Sequence, residues 1–210
     1  MIANAIIGGE IDHIGDLVKE ALDVGKNADQ ILKEMIKGMD VVGEKFENKE
    51  YYVPETLLSA HAMQKGLSIL RPHMNMDNLD VQGRIIMGSV EGDVHDIGMN
   101  LVAMFLEGAG FHVFNLGRDV LPSVYVEKII ELNPDIVGLS AMMSTTMEKM
   151  RETINEFEKH GVRDKIMVIV GGACVTSEFV KEIGSDGYAA DAKKAVRLCK
   201  GLMREKNELI

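Results

Sequence analysis

The first 70 residues carry apolar side chains three and four positions apart, the spacing that places them on one face of a helix. Pro54 stands where the third such segment begins, and its missing N–H costs nothing in a first turn. Three helices are therefore predicted, with residues 1–7 as a short fourth, and together they imply a small bundle. The apolar positions are Ile11, Ile14, Leu17, Val18, Ala21 and Leu22, then Ile31, Met35, Met39, Val42 and Phe46, then Leu57, Leu58, Ala62 and Ile69.

From Arg84 onward the pattern changes to short apolar runs that alternate with helical segments. This alternation is typical of βα units and of a parallel sheet. Five such units predict a flavodoxin-like (Rossmann-like) α/β fold, a doubly wound five-stranded parallel sheet with strand order 2-1-3-4-5. Strands are predicted at 84–90, 111–116, 136–140, 165–170 and 187–189, with helices at 97–107, after Pro122, from about Thr146, from about Thr176 and from Asp191.

Residues 71–83 separate the two patterns. This stretch is polar, lacks apolar periodicity and contains Pro72 and Gly83, which are features of a connecting segment. The predicted organisation is a helical cap domain at 1–75, a linker at 76–83 and an α/β domain at 84–210.

Charge and composition narrow the function classes. The 210 residues carry a formal net charge of -10, which argues against a nucleic-acid-binding module and against docking on an anionic membrane surface. No apolar run reaches the length of about 18 residues that a transmembrane helix needs, and the first residues do not resemble a secretory signal. Cys174 and Cys199 are too few for a disulfide framework, so a reducing cytoplasm is expected.

Unusual residues follow the strands near the expected topological switch point, where doubly wound sheets bind their ligands. The loops 91–98, 140–146 and 171–173 are rich in glycine and small hydroxyl residues and converge on one rim. Gly171-Gly172 permits either a tight turn or the approach of a large flat ligand. Ser140 suits either a hydrogen bond to a ligand or a helix cap.

Asp93 and His95 lie two positions apart in one of these loops, so their side chains can meet on one side. A histidine that binds a metal usually passes its other N–H to a carboxylate. The alternatives are a histidine bonded to its own loop, or an aspartate that caps the following helix. No further ligand lies at zinc-site spacing. A metal here would therefore arrive with its other ligands in place, as in a macrocycle.

The spacing Asp93-x-His95-x-x-Gly98, then Ser140-x-Met142, then Gly171-Gly172 closely resembles the cobalamin-binding signature DxHxxG–SxL–GG. Met142 stands where leucine is usual, and this exchange conserves volume and apolarity. Residues 41–46 (VVGEKF) and 51–55 (YYVPE) resemble the helical cap that precedes this domain in methionine synthase. The same pair of modules occurs in corrinoid proteins of anaerobic methyltransferase systems, so the resemblance covers almost the whole chain.

The resemblance implies cobalamin or a related corrinoid as cofactor, with His95 as the lower axial ligand of its cobalt. Asp93 would orient His95, and Thr146 would supply a hydroxyl linked to this pair. The detached nucleotide tail would enter a slot beside the sheet, which Tyr188 would close at its far end. The implied cofactor-binding residues are Gly92, Asp93, Val94, His95, Asp96, Ile97, Gly98, Ser140, Met142, Met143, Ser144, Gly171, Gly172, Ala173 and Tyr188.

The function that the resemblance implies is that of a methyl carrier cycling between Co(I) and methyl-Co(III). Its partners would be a substrate-specific methyltransferase, an acceptor methyltransferase using tetrahydrofolate or a thiol, and a reductive activator. Because no further acid–base constellation is present, the chain alone is not expected to be a complete enzyme. The alternatives are a cobalamin sensor, a mutase small subunit and a flavodoxin-like domain without a corrin. The cap argues against the mutase, and the acidic charge and absence of tryptophan argue against the sensor.

Overall fold

The computed structural model describes residues 1–73 and 82–208. The chain divides into two compact units, Met1–Val81 with Glu107–Gly110, and Gln82–Leu106 with Phe111–Ile210. Most of the predicted linker, at 76–81, lies outside the described residues, so the domain boundaries remain predictions. None of the helices in the described part of the chain combines the length and the apolar character that a membrane span requires.

The first unit is helical, as its apolar spacing predicts. Its helices are α1 (Ile2–Ile7), α2 (Ile11–Asp23), α3 (Ala28–Glu47) and α4 (Val53–Leu70), followed by a 3-10 turn at Arg71–His73. The short first helix is confirmed, and Pro54 lies in the first turn of α4. Of the residues that recur at helical spacing, Ile14, Ile31 and Met35 are fully buried. The face predicted for α4 is wrong in part: Ala62 is buried, but Leu58 is 49% exposed.

The second unit is a five-stranded parallel sheet in the order β2-β1-β3-β4-β5, which confirms the predicted topology. The interiors of its two central strands, residues 85–88 of β1 and 136–139 of β3, are apolar and buried, as is typical of parallel strands covered on both faces. Its elements are β1 (Arg84–Ser89), α5 (Ile97–Gly108), β2 (His112–Asn115), α6 (Pro122–Leu132), β3 (Ile136–Ser140), α7 (Ser144–Lys159), β4 (Met167–Gly171), α8 (Ser177–Glu182), β5 (Gly187–Tyr188) and α9 (Ala192–Glu208).

Two boundaries of the α/β unit differ from the prediction by two residues, and the others differ by at most one. Helix α7 begins at Ser144 rather than near Thr146, because Met143 adopts the extended backbone that precedes a first turn. Strand β4 begins at Met167 rather than Lys165, because Arg163–Lys165 form a 3-10 turn. Both differences lie within the uncertainty of about two residues that helix and strand ends carry.

The strand register places the candidate loops side by side. Ser89 at the end of β1 pairs with Ser140 at the end of β3, and Ser140 pairs with Gly171 at the end of β4. The chain leaves β1 towards β2 on one side and arrives at β3 on the other. The switch point therefore lies between β1 and β3, where the loops at 90–96 and 141–143 begin.

Candidate functional site

The loop after β1 folds back on itself and buries the side chain of Asp93 completely. The Asp93 amide donates to Val90 O at 3.0 Å, which closes a tight turn. Gly92 takes a φ of 78° within this turn, a conformation that a residue with a Cβ adopts at a cost. The turn therefore directs a short acidic side chain inward, beneath the loop that carries it.

The Asp93 carboxylate accepts four hydrogen bonds, two at each oxygen. Its Oδ1 accepts from the backbone N–H of His95 at 3.0 Å and lies 2.9 Å from His95 Nδ1. Its Oδ2 accepts from the Met142 amide at 2.7 Å and from the Thr146 hydroxyl at 2.6 Å. The pairing of Asp93 with His95 and Thr146, an expectation from the sequence, is thus present, and residues from β1 and β3 loops meet on one carboxylate.

These contacts decide the charge of Asp93. Burial raises the pKa of its carboxyl group, but the hydrogen bonds from Thr146, Met142 and His95 lower it by more, to about 2. Asp93 is therefore ionised at neutral pH. It is also the one buried charged side chain in the part of the chain that the structure describes.

The protonation of the His95 ring follows from its partner. An ionised carboxylate only accepts hydrogen bonds, so Nδ1 carries a proton and donates it to Asp93. In the neutral ring, Nε2 then carries a lone pair, and no residue within 1–73 or 82–208 hydrogen-bonds to it. The side chain is 51% exposed, while the backbone of His95 is held by the Ser89 hydroxyl, which donates to His95 O at 2.7 Å. This is the geometry of an imidazole prepared to bind a metal.

Exposed apolar side chains lie at the carboxyl edge of the sheet, in the segments that follow β1, β2 and β3. We call Val94, Ile97, Leu121, Met142 and Met143 the apolar rim. Ile97 is 72% exposed and Val94 57%, whereas the same residue types form the core elsewhere. Exposed apolar side chains at the edge that also carries His95 are the composition expected of a ligand site.

The other predicted residues lie at the same edge of the sheet. Ser140 is half-buried at the end of β3, and its hydroxyl makes no hydrogen bond within the described residues. It does not cap α7, whose N-cap is Met143. Gly171 ends β4, Tyr188 ends β5 and is 36% exposed, and Ala173 is exposed. Their contacts with a ligand remain predictions.

The local backbone packing requires glycine at position 172. With its φ of 129°, a Cβ at this position would lie 1.8 Å from Ala141 O, so only glycine lets the β3 and β4 loops approach this closely. Of the two predicted uses of the glycine pair, the structure shows the tight turn, in which Val175 N–H donates to Gly172 O at 3.2 Å. Gly98, in the first turn of α5, has open space where a Cβ would stand.

Asp96 and Ser144 stand at helix starts. Asp96 precedes α5, and its carbonyl accepts from the Asn100 amide at 2.7 Å. Ser144 is the first residue of α7 and is exposed. Neither side chain hydrogen-bonds to Asp93 or His95 in the part of the chain that the structure describes, so their assignment to the cofactor site stays a prediction.

Two contributors were not predicted from the sequence. Ser89 anchors the His95 carbonyl, and Asp119 accepts from the Gly92 amide at 2.7 Å. Asp119 comes from the loop after β2, 27 positions away, and no local motif marks it. Its backbone φ of 54° is the only signal, and this appears in the folded chain alone.

The described residues hold no group of three or more His, Cys, Asp or Glu side chains that could bind a metal ion. The site therefore presents one imidazole, not a complete ligand set. The fold and the site together define a doubly wound α/β protein with a single half-exposed histidine at its switch point, where such a sheet binds its ligand.

Comparison with known proteins identifies that ligand. Two family models, each described as a B12 binding domain, match residues 83–197 and residues 1–71. A corrinoid protein of Desulfitobacterium hafniense is 36% identical over 206 residues, which cover 96% of this chain and 95% of that protein. The chain belongs to the family of B12-binding corrinoid proteins. Its cofactor is cobalamin or a related corrinoid, which confirms the resemblance.

Two further relatives indicate the setting in which such proteins work. Dimethylamine corrinoid protein 2 of Methanosarcina acetivorans is 38% identical over 203 residues, covering 96% of this chain and 94% of that one. The crystal structure of the methanol:cobalamin methyltransferase complex from Methanosarcina barkeri matches with a TM-score of 0.87 at 28% identity. The match covers 97% of this chain and 78% of the solved chain.

Proposed function

We propose that this protein is a corrinoid methyl carrier in which His95 Nε2 is the lower axial ligand of cobalt. The observation that carries the proposal is the Asp93–His95 pair. A buried, ionised carboxylate fixes the Nδ1 proton of a half-exposed imidazole, so the Nε2 lone pair faces outward. The family relationship identifies a corrinoid as the cofactor, and the His95 ring of this pair provides the nitrogen that would bind its cobalt.

The described residues fit a corrinoid. A macrocycle brings most of its own ligands, so a site with one protein donor is sufficient for it. The apolar rim, at the same edge of the sheet as His95, suits contact with the face and the methyl groups of such a ring. When bound, the corrinoid supplies a cobalt centre that takes up a methyl group and gives it to an acceptor.

The chain's own residues control the imidazole. Asp93 orients the ring through Nδ1, as a carboxylate partner does for metal-binding histidines. Thr146 and the Met142 amide hold the second carboxylate oxygen, so the carboxylate keeps its orientation. The Nδ1 proton therefore stays engaged, which leaves Nε2 as the nitrogen that would bind the metal.

We assign the nucleotide tail of the cofactor to the edge formed by Ser140, Met142, Gly171, Gly172 and Tyr188. The unbonded Ser140 hydroxyl provides a hydrogen-bonding group for it. Gly171 and Gly172 bring the end of β4 close to the backbone that follows β3 and β5, and the 36% exposed Tyr188 lies at the neighbouring strand end.

The partners we propose follow from the relatives. A methyltransferase acting on methanol or a methylamine would methylate the bound cofactor. An acceptor methyltransferase using tetrahydrofolate or a thiol would remove the methyl group, and a reductive activator would restore the reduced cofactor. The unpaired Cys174 and Cys199 are in keeping with a reducing, cytoplasmic compartment.

Isotope-edited EPR tests the ligand. The protein is labelled uniformly with ¹⁵N, loaded with unlabelled hydroxocobalamin and reduced to the Co(II) state. A protein imidazole then splits the cobalt lines into doublets, because ¹⁵N has spin one half, whereas the cofactor's own base gives ¹⁴N triplets. We expect doublets in the wild type and in His160→Ala, a matched exposed histidine at the end of α7.

In His95→Ala we expect the visible spectrum of bound corrinoid to persist and the doublets to disappear. Doublets that survive in His95→Ala, or triplets in the wild type, would show that His95 is not the ligand.

The carrier role is tested separately with the Co(I) protein and a panel of methanol and methylamine methyltransferases with their substrates. We expect the spectrum to change with at least one of them; no reaction with any would contradict the proposal.

A further inference from the structure

We infer that Asp119 is a positioning residue for the loop that carries His95, an inference that rests on the proposed function. Asp119 does not touch the imidazole. It holds the backbone of Gly92 and Asp93 from the neighbouring loop, and through Asp93 it acts on His95.

The loop after β2 runs alongside the loop after β1. Ser89 N–H donates to Gly117 O at 2.9 Å, and Val120 N–H donates to Ser89 O at 3.0 Å. Val90 and Val120 form a parallel bridge. Residues 117–120, which we call the clamp segment, thus continue the pairing of β1 and β2 beyond the ends of the strands.

Asp119 supplies the last two contacts of this pairing. Its backbone N–H donates to Asp93 O at 3.0 Å, and its Oδ1 accepts from the Gly92 amide at 2.7 Å. The two bonds reach opposite ends of the Gly92-Asp93 dipeptide and so fix the orientation of the peptide group between them. Asp119 adopts a φ of 54° to do this, in the left-handed region that aspartate, asparagine and glycine tolerate best.

The orientation of this dipeptide decides where the Asp93 carboxylate lies. That carboxylate must meet four donors from two loops, and Gly92 is the flexible residue next to it. Without the Asp119 side chain, one of the two restraints on the dipeptide is lost. The carboxylate would then hold His95 Nδ1 for a smaller fraction of the time, and Nε2 would be a weaker ligand.

Two substitutions separate the side-chain contact from backbone strain. Asp119→Asn keeps both the Oδ1 acceptor and the tolerance for positive φ. Asp119→Gly keeps the tolerance and removes the acceptor. In the apoprotein, we expect the Gly92 amide to exchange with solvent about tenfold faster in Asp119→Gly, which is the effect of losing one such hydrogen bond. In Asp119→Asn the rate should stay close to that of the wild type.

The second readout is the His95-derived ¹⁵N splitting of the Co(II) protein. We expect the equilibrium constant for cobalt binding by His95 to fall about fivefold in Asp119→Gly. This is less than the effect of a whole hydrogen bond, because Asp119 acts on His95 only through Asp93. Asp119→Asn should restore it, whereas a general loss of folding would not be rescued in this way.

Faster Gly92 exchange together with weaker His95 ligation, both rescued by Asp119→Asn, supports the inference. Unchanged ligation in Asp119→Gly overturns it, whether or not the exchange rate rises. A wild-type protein without ¹⁵N splitting would instead overturn the proposed function, and the inference with it. The Gly92 exchange rate in the apoprotein does not depend on cofactor, so the two failures are distinguishable.

Discussion

Replacing Asp93 with asparagine tests the reasoning about the buried carboxylate most directly. Asparagine has the same shape, but one of its two acceptor oxygens becomes an NH₂ group. If the NH₂ group faces Met142 and Thr146, two donors meet: the NH₂ group lies against the Met142 N–H, which in the wild type donates to the carboxylate at 2.7 Å. If it is turned the other way, it opposes the backbone N–H of His95 instead. In either orientation one buried backbone donor loses its acceptor.

The structure sets the size of the effect. The Asp93 pKa of about 2, against an ordinary value of 3.8, corresponds to about 2.5 kcal/mol of preference for the ionised form in the folded protein. A buried donor left unsatisfied costs roughly 1–3 kcal/mol. We therefore expect Asp93→Asn to lower the free energy of unfolding of the apoprotein by about 2–4 kcal/mol at pH 7.

The pH dependence has a defined sign. Because the folded-state pKa of Asp93 is depressed, the stability it contributes is fully present above the unfolded pKa near 3.8 and is lost as pH falls towards about 2. By pH 3, a little under half of the contribution, about 1 kcal/mol, should be gone. The difference in stability between wild type and Asp93→Asn should therefore narrow over this range.

Urea unfolding followed by far-UV circular dichroism measures this difference, since the chain has no tryptophan for fluorescence. Thr146→Val is the matched variant, because it removes a single donor to the same carboxylate and leaves the charge in place. It should cost less than Asp93→Asn. The reasoning would be refuted if the free energies of unfolding of wild type and Asp93→Asn differ by less than about 0.5 kcal/mol at pH 7. It would also be refuted if their difference grows as the pH falls to 3.

Three further substitutions test packing. Gly172→Ala would place a Cβ 1.8 Å from Ala141 O and should destabilise the protein by about 3 kcal/mol or more, whereas Gly201→Ala, in α9 with open space around it, should stabilise it by up to about 1 kcal/mol. Equal urea midpoints for the two variants would contradict this. Tyr125→Phe should leave stability unchanged or raise it by about 1 kcal/mol, because the fully buried hydroxyl has no hydrogen-bond partner among the described residues. A clear loss of stability would show that the hydroxyl is bound in solution.

The element order followed from the sequence because hydrophobic periodicity reports it directly. The change from helical spacing to short apolar runs predicted both the bundle and the order 2-1-3-4-5, and the comparisons confirm the fold. Element ends were less certain. The starts of α7 and β4 depend on Met143 and on the turn at Arg163–Lys165, where the backbone conformation is set by neighbouring segments rather than by side-chain type.

The residues of the candidate site were likewise predictable only in part. Asp93 and His95 were predicted from motif spacing and Thr146 from the family resemblance, and the structure brings the side chains of His95 and Thr146 together on the Asp93 carboxylate. Ser89 and Asp119 were missed, because their role is to bond backbone atoms of a neighbouring loop, and such contacts leave no mark on residue type.

By itself the sequence determined the class of fold, the order of the strands and the three loops that hold the chemistry, because these depend on hydrophobic pattern and on residues at fixed spacing. Only the tertiary structure decided which imidazole nitrogen faces outward, why Asp93 stays ionised although buried, and why position 172 accepts nothing but glycine. Those properties depend on distances of about 3 Å between groups far apart in the chain, and only the folded backbone sets such distances.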